Sequence, residues 1–142
     1  MMMEKNVMIS VRGEQYFDGV DPDETVLLTE GSLEKTEEGW RITYEESELT
    51  GMTGTVTTFD IVGAKVILSR RGTVNSQMVF EEGQQHVSLY ETPYGTMTID
   101  ICTSKLEKTM DREGGDMEIR YTIAVEHRVT GKNCFKISVR EK

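Results

Sequence analysis

Apolar and polar residues alternate one by one along most of this chain. Val7, Ile9 and Val11 alternate with Met8, Ser10 and Arg12. Trp40, Ile42 and Tyr44 alternate with Arg41, Thr43 and Glu45. Met117, Ile119, Tyr121, Ile123 and Val125 alternate with Glu118, Arg120, Thr122, Ala124 and Glu126. Phe135, Ile137 and Val139 do the same against Cys134, Lys136, Ser138 and Arg140. Neighbouring side chains on a strand point to opposite faces, so each run predicts a strand with one apolar side.

Turn residues interrupt the runs at short intervals. They fall at Asp21-Pro22-Asp23, Glu38-Gly39, Gly51 to Gly54, Gly63, Gly72, Gly83, Pro93-Tyr94-Gly95, Glu113-Gly114-Gly115-Asp116 and Thr130-Gly131-Lys132. Glycine accepts the positive φ of tight hairpins and proline presets a turn. The pattern predicts strands near 5–17, 25–37, 40–47, 54–61, 65–71, 76–82, 86–92, 95–107, 117–128 and 134–141. Short links between consecutive strands favour an up-and-down antiparallel order. So many strands in one domain strain an open sheet, and closure removes its sticky edges. The expected fold is all-β: a single antiparallel up-and-down barrel of about eight to ten strands spanning residues 1–142. One segment competes. Ser104-Lys105-Leu106-Glu107 has the form of a helix capping box, with Leu106 and Met110 four apart. The preceding alternation of Met97, Ile99 and Ile101 favours a continuing strand.

Length and charge narrow the picture. A chain of 142 residues can bury enough apolar surface to fold without metals or disulfides. The net charge is −9, from 16 basic and 25 acidic residues. Such a surface repels phosphate backbones and anionic bilayers, so neither nucleic acid nor membrane is an expected partner. No segment has the length of a signal-peptide core or a transmembrane helix, which points to the cytoplasm. Cys102 and Cys134 show no metal-ligand spacing and read as two free thiols in a reducing compartment.

Several longer motifs carry a resemblance. They are Tyr44-Glu45-Glu46-Ser47-Glu48-Leu49-Thr50-Gly51-Met52-Thr53-Gly54-Thr55 and Gly72-Thr73-Val74-Asn75-Ser76-Gln77-Met78-Val79-Phe80-Glu81. His86 followed by Tyr90-Glu91-Thr92-Pro93-Tyr94-Gly95, the Gly114-Gly115 turn and Asn133-Cys134-Phe135-Lys136-Ile137 belong to the same set. On these the chain resembles the YwiB-like family, small bacterial proteins of the calycin type of β-barrel. The resemblance spans nearly the whole chain. It implies an antiparallel meander which, in relatives such as lipocalins, encloses a small apolar ligand. It implies no activity and no catalytic residues, since function belongs to sites rather than folds.

The residues between Tyr44 and Tyr94 are the richest in chemistry. His86, Ser88, Tyr90 and Thr92 share one parity. Thr55, Thr57 and Phe59 share another, and Val66 and Leu68 lead to Arg70. A barrel turns one face of each strand inward. An inward set of Arg70, His86 and Tyr90 would place a cation, an imidazole and a phenol in the lumen, suited to an anionic or amphipathic small molecule. Tyr44 and Glu46 share a parity with Ile42 and join the candidate set, with Glu46 facing Arg70 as a structural ion pair in the plainer reading. The competing account places all of these outside, or plugging a barrel mouth with their hydrogen bonds satisfied.

Other constellations are weak. His86 and His127 have no shared metal-binding spacing, and no cofactor is implied. Asp18-Gly19-Val20-Asp21-Pro22-Asp23-Glu24 lacks the ligand pattern of a calcium loop and reads as a solvated hairpin tip. There is no Gly-x-Ser-x-Gly elbow, and Cys102 reads as a core or barrel-wall residue. Met78, Met97, Met110 and Met117 read as core filler or adaptable cavity lining. Three functions are compatible with this pattern: a small-molecule binding barrel, an interaction module or homodimer using Trp40, Tyr16, Phe17 or Tyr94, and, least supported, an enzyme.

Overall fold

Each alternating run forms a strand. The computed structural model describes residues 4–16, 21–48, 51–73, 75–92, 94–125 and 128–142. Met1 to Met3, Phe17, the first part of the acidic tip (Asp18, Gly19 and Val20), Pro93 and His127 lie outside them. Ten strands follow in order: β1 (Glu4–Tyr16), β2 (Asp23–Lys35), β3 (Gly39–Glu45), β4 (Val56–Val62) and β5 (Lys65–Arg71), then β6 (Asn75–Glu81), β7 (Gln85–Thr92), β8 (Gly95–Asp111), β9 (Gly114–Val125) and β10 (Arg128–Glu141). Each pairs antiparallel with the next, and β1 closes the ring against β10. Among the described residues closure leaves no unpaired edge strand, as the number and spacing of the runs predict.

The segment after Ile101 is strand, not helix. β8 runs unbroken to Asp111 and carries a bulge between Thr103 and Lys105. An extra residue in one strand reverses which parity faces inward. Ile99, Ile101 and Thr103 are buried before it, while Leu106 and Met110 pack against the core after it. The four-residue spacing of Leu106 and Met110 is therefore strand parity rather than a helical turn. A second correction concerns Thr130-Gly131-Lys132. It lies within β10, at a bulge between Val129 and Gly131, and makes no turn. The hairpin before β9 turns at Arg112 and Glu113.

The two ends of the barrel differ. Links 36–38, 63–64, 82–84 and 112–113 lie at one end. There the lumen is packed by Val7, Ile9, Leu33, Ile42, Ile61, Val66, Phe80, Ile101, Ile119, Ile137 and Val139, all 5% exposed or less. Trp40 is half-buried at this end, with the Lys35 ammonium 4.9 Å over its ring. The opposite end is the mouth, where β1, β3, β5, β7 and β9 finish. Among the described residues no helix is long and apolar enough to cross a membrane.

Candidate functional site

Strand register builds one row of side chains just inside the mouth. Tyr44 pairs with Thr57, Thr57 with Arg70, Arg70 with Ser76, Ser76 with Tyr90 and Tyr90 with Met97. Directly paired residues point to the same side of a sheet, so these six face the lumen together. The row below it is mostly apolar: Ile42 pairs with Phe59, Phe59 with Leu68 and Leu68 with Met78. The barrel thus changes from an apolar floor to a hydroxyl-rich belt within one pleat.

Between floor and mouth lies a cavity of about 720 Å³. Its wall includes Tyr44, Glu46, Arg70, Met78, Tyr90 and Met97 from β3 to β8, and Ile99, Tyr121 and Phe135 beyond. Aromatic rings support it in a chain. Tyr44 stacks on Phe59 at 6.4 Å between centroids, Phe59 meets Phe135 edge-on at 6.2 Å, and Phe135 stacks on Tyr121 at 5.8 Å. Tyr121 reaches Phe80 at 4.7 Å. Such pairs fix ring orientation beyond simple area burial.

The charged groups are disposed unevenly. Glu46 is 7% exposed and accepts a hydrogen bond from Thr57 Oγ1 at 2.5 Å. Its backbone N–H donates to the Thr55 carbonyl at 2.9 Å, which ties the end of β3 to the start of β4. Arg70 is different. Its Nε is buried with no hydrogen-bond partner, and among the described residues no carboxylate lies within ion-pairing distance of it. The expected Glu46–Arg70 ion pair is therefore not formed, although both side chains border the same cavity. Ser76, the register partner of Arg70, likewise has a buried hydroxyl oxygen with no partner. Burial pushes the Tyr44 phenol well above the ordinary tyrosine range; the negative charge of Glu46 adds to this and Arg70 opposes it. Burial does the same to Tyr121, again with Arg70 opposing.

Four of the five residues singled out from sequence, Tyr44, Glu46, Arg70 and Tyr90, border this cavity. His86 does not. It shares the inward parity of Tyr90 but lies four residues away, roughly 13 Å along the strand, toward the packed end. There its Nε2 is 3.1 Å from Glu81 Oε1. Sequence reasoning did not single out Thr57, Tyr121 or Phe135 as site residues. Tyr121 and Phe135 sit in strongly apolar runs and read as core, while Thr57 carries no charge to draw notice. Cys102, expected in the core or wall, is exposed on the outer face. Among the described residues no group of three or more His, Cys, Asp and Glu side chains is placed to hold a metal ion.

Residues 9–137 match the profile of the family described as Domain of unknown function (DUF1934). This chain belongs to that family. The crystal structure of the ywiB protein from Bacillus subtilis superposes with a TM-score of 0.88, covering 99% of this chain and 95% of that one, at 18% sequence identity. At that identity the likeness shows a shared fold, the closed antiparallel barrel. No curated protein matches the chain. The family description carries no function, so the chemistry of the lumen is the guide to one.

Proposed function

We propose that this member of the DUF1934 family is a calycin-like, non-catalytic binding protein of the cytoplasm that takes a small amphipathic molecule into the mouth half of its lumen. The supporting observation is a cavity of about 720 Å³ that combines an aromatic and aliphatic wall with a cation, Arg70, that no described side chain pairs. Small-molecule sites are concave, mostly apolar and furnished with a few convergent polar groups. A buried donor without a partner costs free energy, and a ligand's polar end relieves that cost on binding. The packed lower half gives the lumen a floor, so the ligand enters and leaves by the mouth.

Native mass spectrometry of gently purified protein tests this function, together with titration by the neutral apolar dye N-phenylnaphthylamine. The expected result is a reproducible extra mass that vanishes on denaturation, and dye fluorescence that rises on binding and falls when Met78→Trp fills the lumen. A bare chain mass together with a silent dye would overturn it. A second possibility, an interaction module or homodimer, draws on β7, where Val87 and Leu89 are 66% and 60% exposed on the outer face. The aromatic residues considered from sequence for such a surface do not form one patch. Trp40 is at the packed end, whereas Tyr16 and Tyr94 are at the mouth.

A further inference from the structure

Arg70 is the lone cation among the described residues that line the cavity. Its charge acts on the phenols of both Tyr44, on β3, and Tyr121, on β9, so the guanidinium projects into the lumen and not back along its own wall. Its Nε is buried without a hydrogen-bond partner, and so is the hydroxyl oxygen of Ser76, its register partner on β6. Directly paired residues lie roughly 5 Å apart at their Cα atoms, so the two orphaned groups stand side by side on the belt. Glu46 is in another position: it is engaged by Thr57 and by a further interaction within the protein. The charge left for a ligand to meet is that of Arg70.

Two unpartnered groups beside one positive charge select a head group. A carboxylate brings a single negative charge and a pair of oxygens, one for the guanidinium and one for the hydroxyl. A phosphate ester brings more charge and more oxygens than these donors meet, beneath a rim where Glu14, Asp23 and Glu24 repel the surplus. An ammonium group meets Arg70 with like charge, and a neutral amide leaves its charge uncompensated. The shape of the lumen selects the rest of the molecule. β10 stands halfway round the ring from β5, and the wall facing Arg70 is apolar, with Val11, Ile99, Tyr121, Ile123 and Phe135. The floor is one pleat below the belt: Thr57 and Phe59 are two residues apart, roughly 7 Å along β4. A head group on Arg70 therefore has little depth beneath it, and the body of the ligand lies across the lumen against the facing wall. A compact body fits this space and an extended acyl chain does not. The linked rings of Tyr44, Phe59, Phe135 and Tyr121 offer faces and edges to a further ring.

Resting on the lumen-binding function above, we propose that the ligand is a compact arylalkyl monocarboxylate, with its carboxylate on Arg70 Nε and the Ser76 hydroxyl and its ring against Tyr121 and Phe135. Binding gives both orphaned groups a partner at once and neutralises the guanidinium, while the ring buries apolar surface on the facing wall.

Four ligands with closely similar bodies test the proposal by calorimetric titration of the full chain: hydrocinnamate, hydrocinnamamide, phenylpropylamine and phenylethyl phosphate. Hydrocinnamate should bind tightest, with the amide weaker by about tenfold or more, the scale of one lost charge-assisted hydrogen bond. Dodecanoate should gain nothing over hydrocinnamate, because its chain outruns the lumen. Arg70→Met should abolish the preference for the acid over the amide. Arg70→Lys, the milder change, keeps the charge without the Nε–H and should lower the preference without removing it, as should Ser76→Ala. Circular dichroism checks that the variants are folded, and the dye titration shows whether their lumens still open. Equal binding of acid and amide by the unmodified protein, or tighter binding of the amine or the phosphate, would overturn the carboxylate. A preference that survives Arg70→Met would overturn the place given to Arg70, and tighter binding of dodecanoate would overturn the compact body. If no acid binds while the dye still enters the lumen, the carboxylate falls and the binding barrel stands. If neither the acids nor the dye bind, both proposals fall.

Discussion

Replacing Thr57 with Val isolates one hydrogen bond to the buried carboxylate of the lumen. Thr57 is fully buried, and its Oγ1 donates to Glu46 Oε1 at 2.5 Å. Valine keeps the branch at Cβ and nearly the same volume, so the change removes the donor without opening a void. A hydrogen bond to a charged group contributes about 1.5–3 kcal/mol, and Glu46, 7% exposed, has little water to replace it. Thr57→Val should therefore lose about 2 kcal/mol. For a chain of this size each kcal/mol moves Tm by about 3 °C, so the midpoint should fall by about 6 °C. Thr57→Ser, which keeps the donor, should lose less than half as much. Urea unfolding with matched m-values reads the effect, and a double-mutant cycle with Glu46→Gln should return a coupling of about 1 kcal/mol or more. A Thr57→Val loss below about 0.5 kcal/mol, or zero coupling, would mean that water or another partner serves Glu46 as well as Thr57 does, and that Thr57 does not fix the carboxylate.

Other expectations follow from the same structure. At Gly114, φ is +118° and an added Cβ would lie 2.1 Å from the Val139 carbonyl oxygen, so Gly114→Ala should cost more than about 2 kcal/mol in urea unfolding. Gly63→Ala, at φ +57° with nothing within 4 Å, should cost about 1 kcal/mol, the ordinary penalty of a left-handed residue. Under a thiol reagent at mild alkaline pH, exposed Cys102 should react in the folded protein. Cys134, 4% exposed and with its thiol pushed up by burial, should react only on unfolding; prompt labelling of both would contradict the placement of β10. Alkaline titration followed by tyrosinate absorbance should show Tyr44 and Tyr121 ionising late. Because their folded pKa values lie above the unfolded value near 10, they stabilise the fold fully below that pH and progressively less above it, so urea midpoints should fall as pH rises past about 10.

Much of this architecture was legible in the sequence because strand parity is a local property. The run from Met117 to Val125 forms β9 with Met117, Ile119 and Tyr121 buried, as its alternation predicts. Departures occur where one extra residue breaks the count. Ser104 sits in the β8 bulge with its Oγ donating to the Arg120 carbonyl at 3.2 Å, and from there onward the inward residues change from odd to even numbers. No local pattern announces that switch, so Leu106 and Met110 resemble helix positions when an unbroken period is assumed. Gly131 misleads in the opposite way. It carries a turn signal but serves a bulge, at φ +148°, inside a long strand whose partner β9 holds it extended.

The site is harder to read because parity fixes the face of a residue and not its height in the barrel. His86 and Tyr90 have the same parity on the same strand, yet only Tyr90 reaches the belt at the mouth. Height depends on the register of every strand pair around the ring, and register depends on where each hairpin turns. Arg70 joins Tyr44 through Thr57 because β4 turns into β5 at Gly63, and it joins Tyr90 through Ser76. Moving any of those turns by one residue would carry Arg70 to the outer wall, where a lone guanidinium is an ordinary surface charge. The turns therefore set the chemistry of the lumen as well as the path of the chain. Arg70, the one cation among the described residues that line the cavity, stands without the expected bond to Glu46, because the register that brings both to the same cavity leaves them apart.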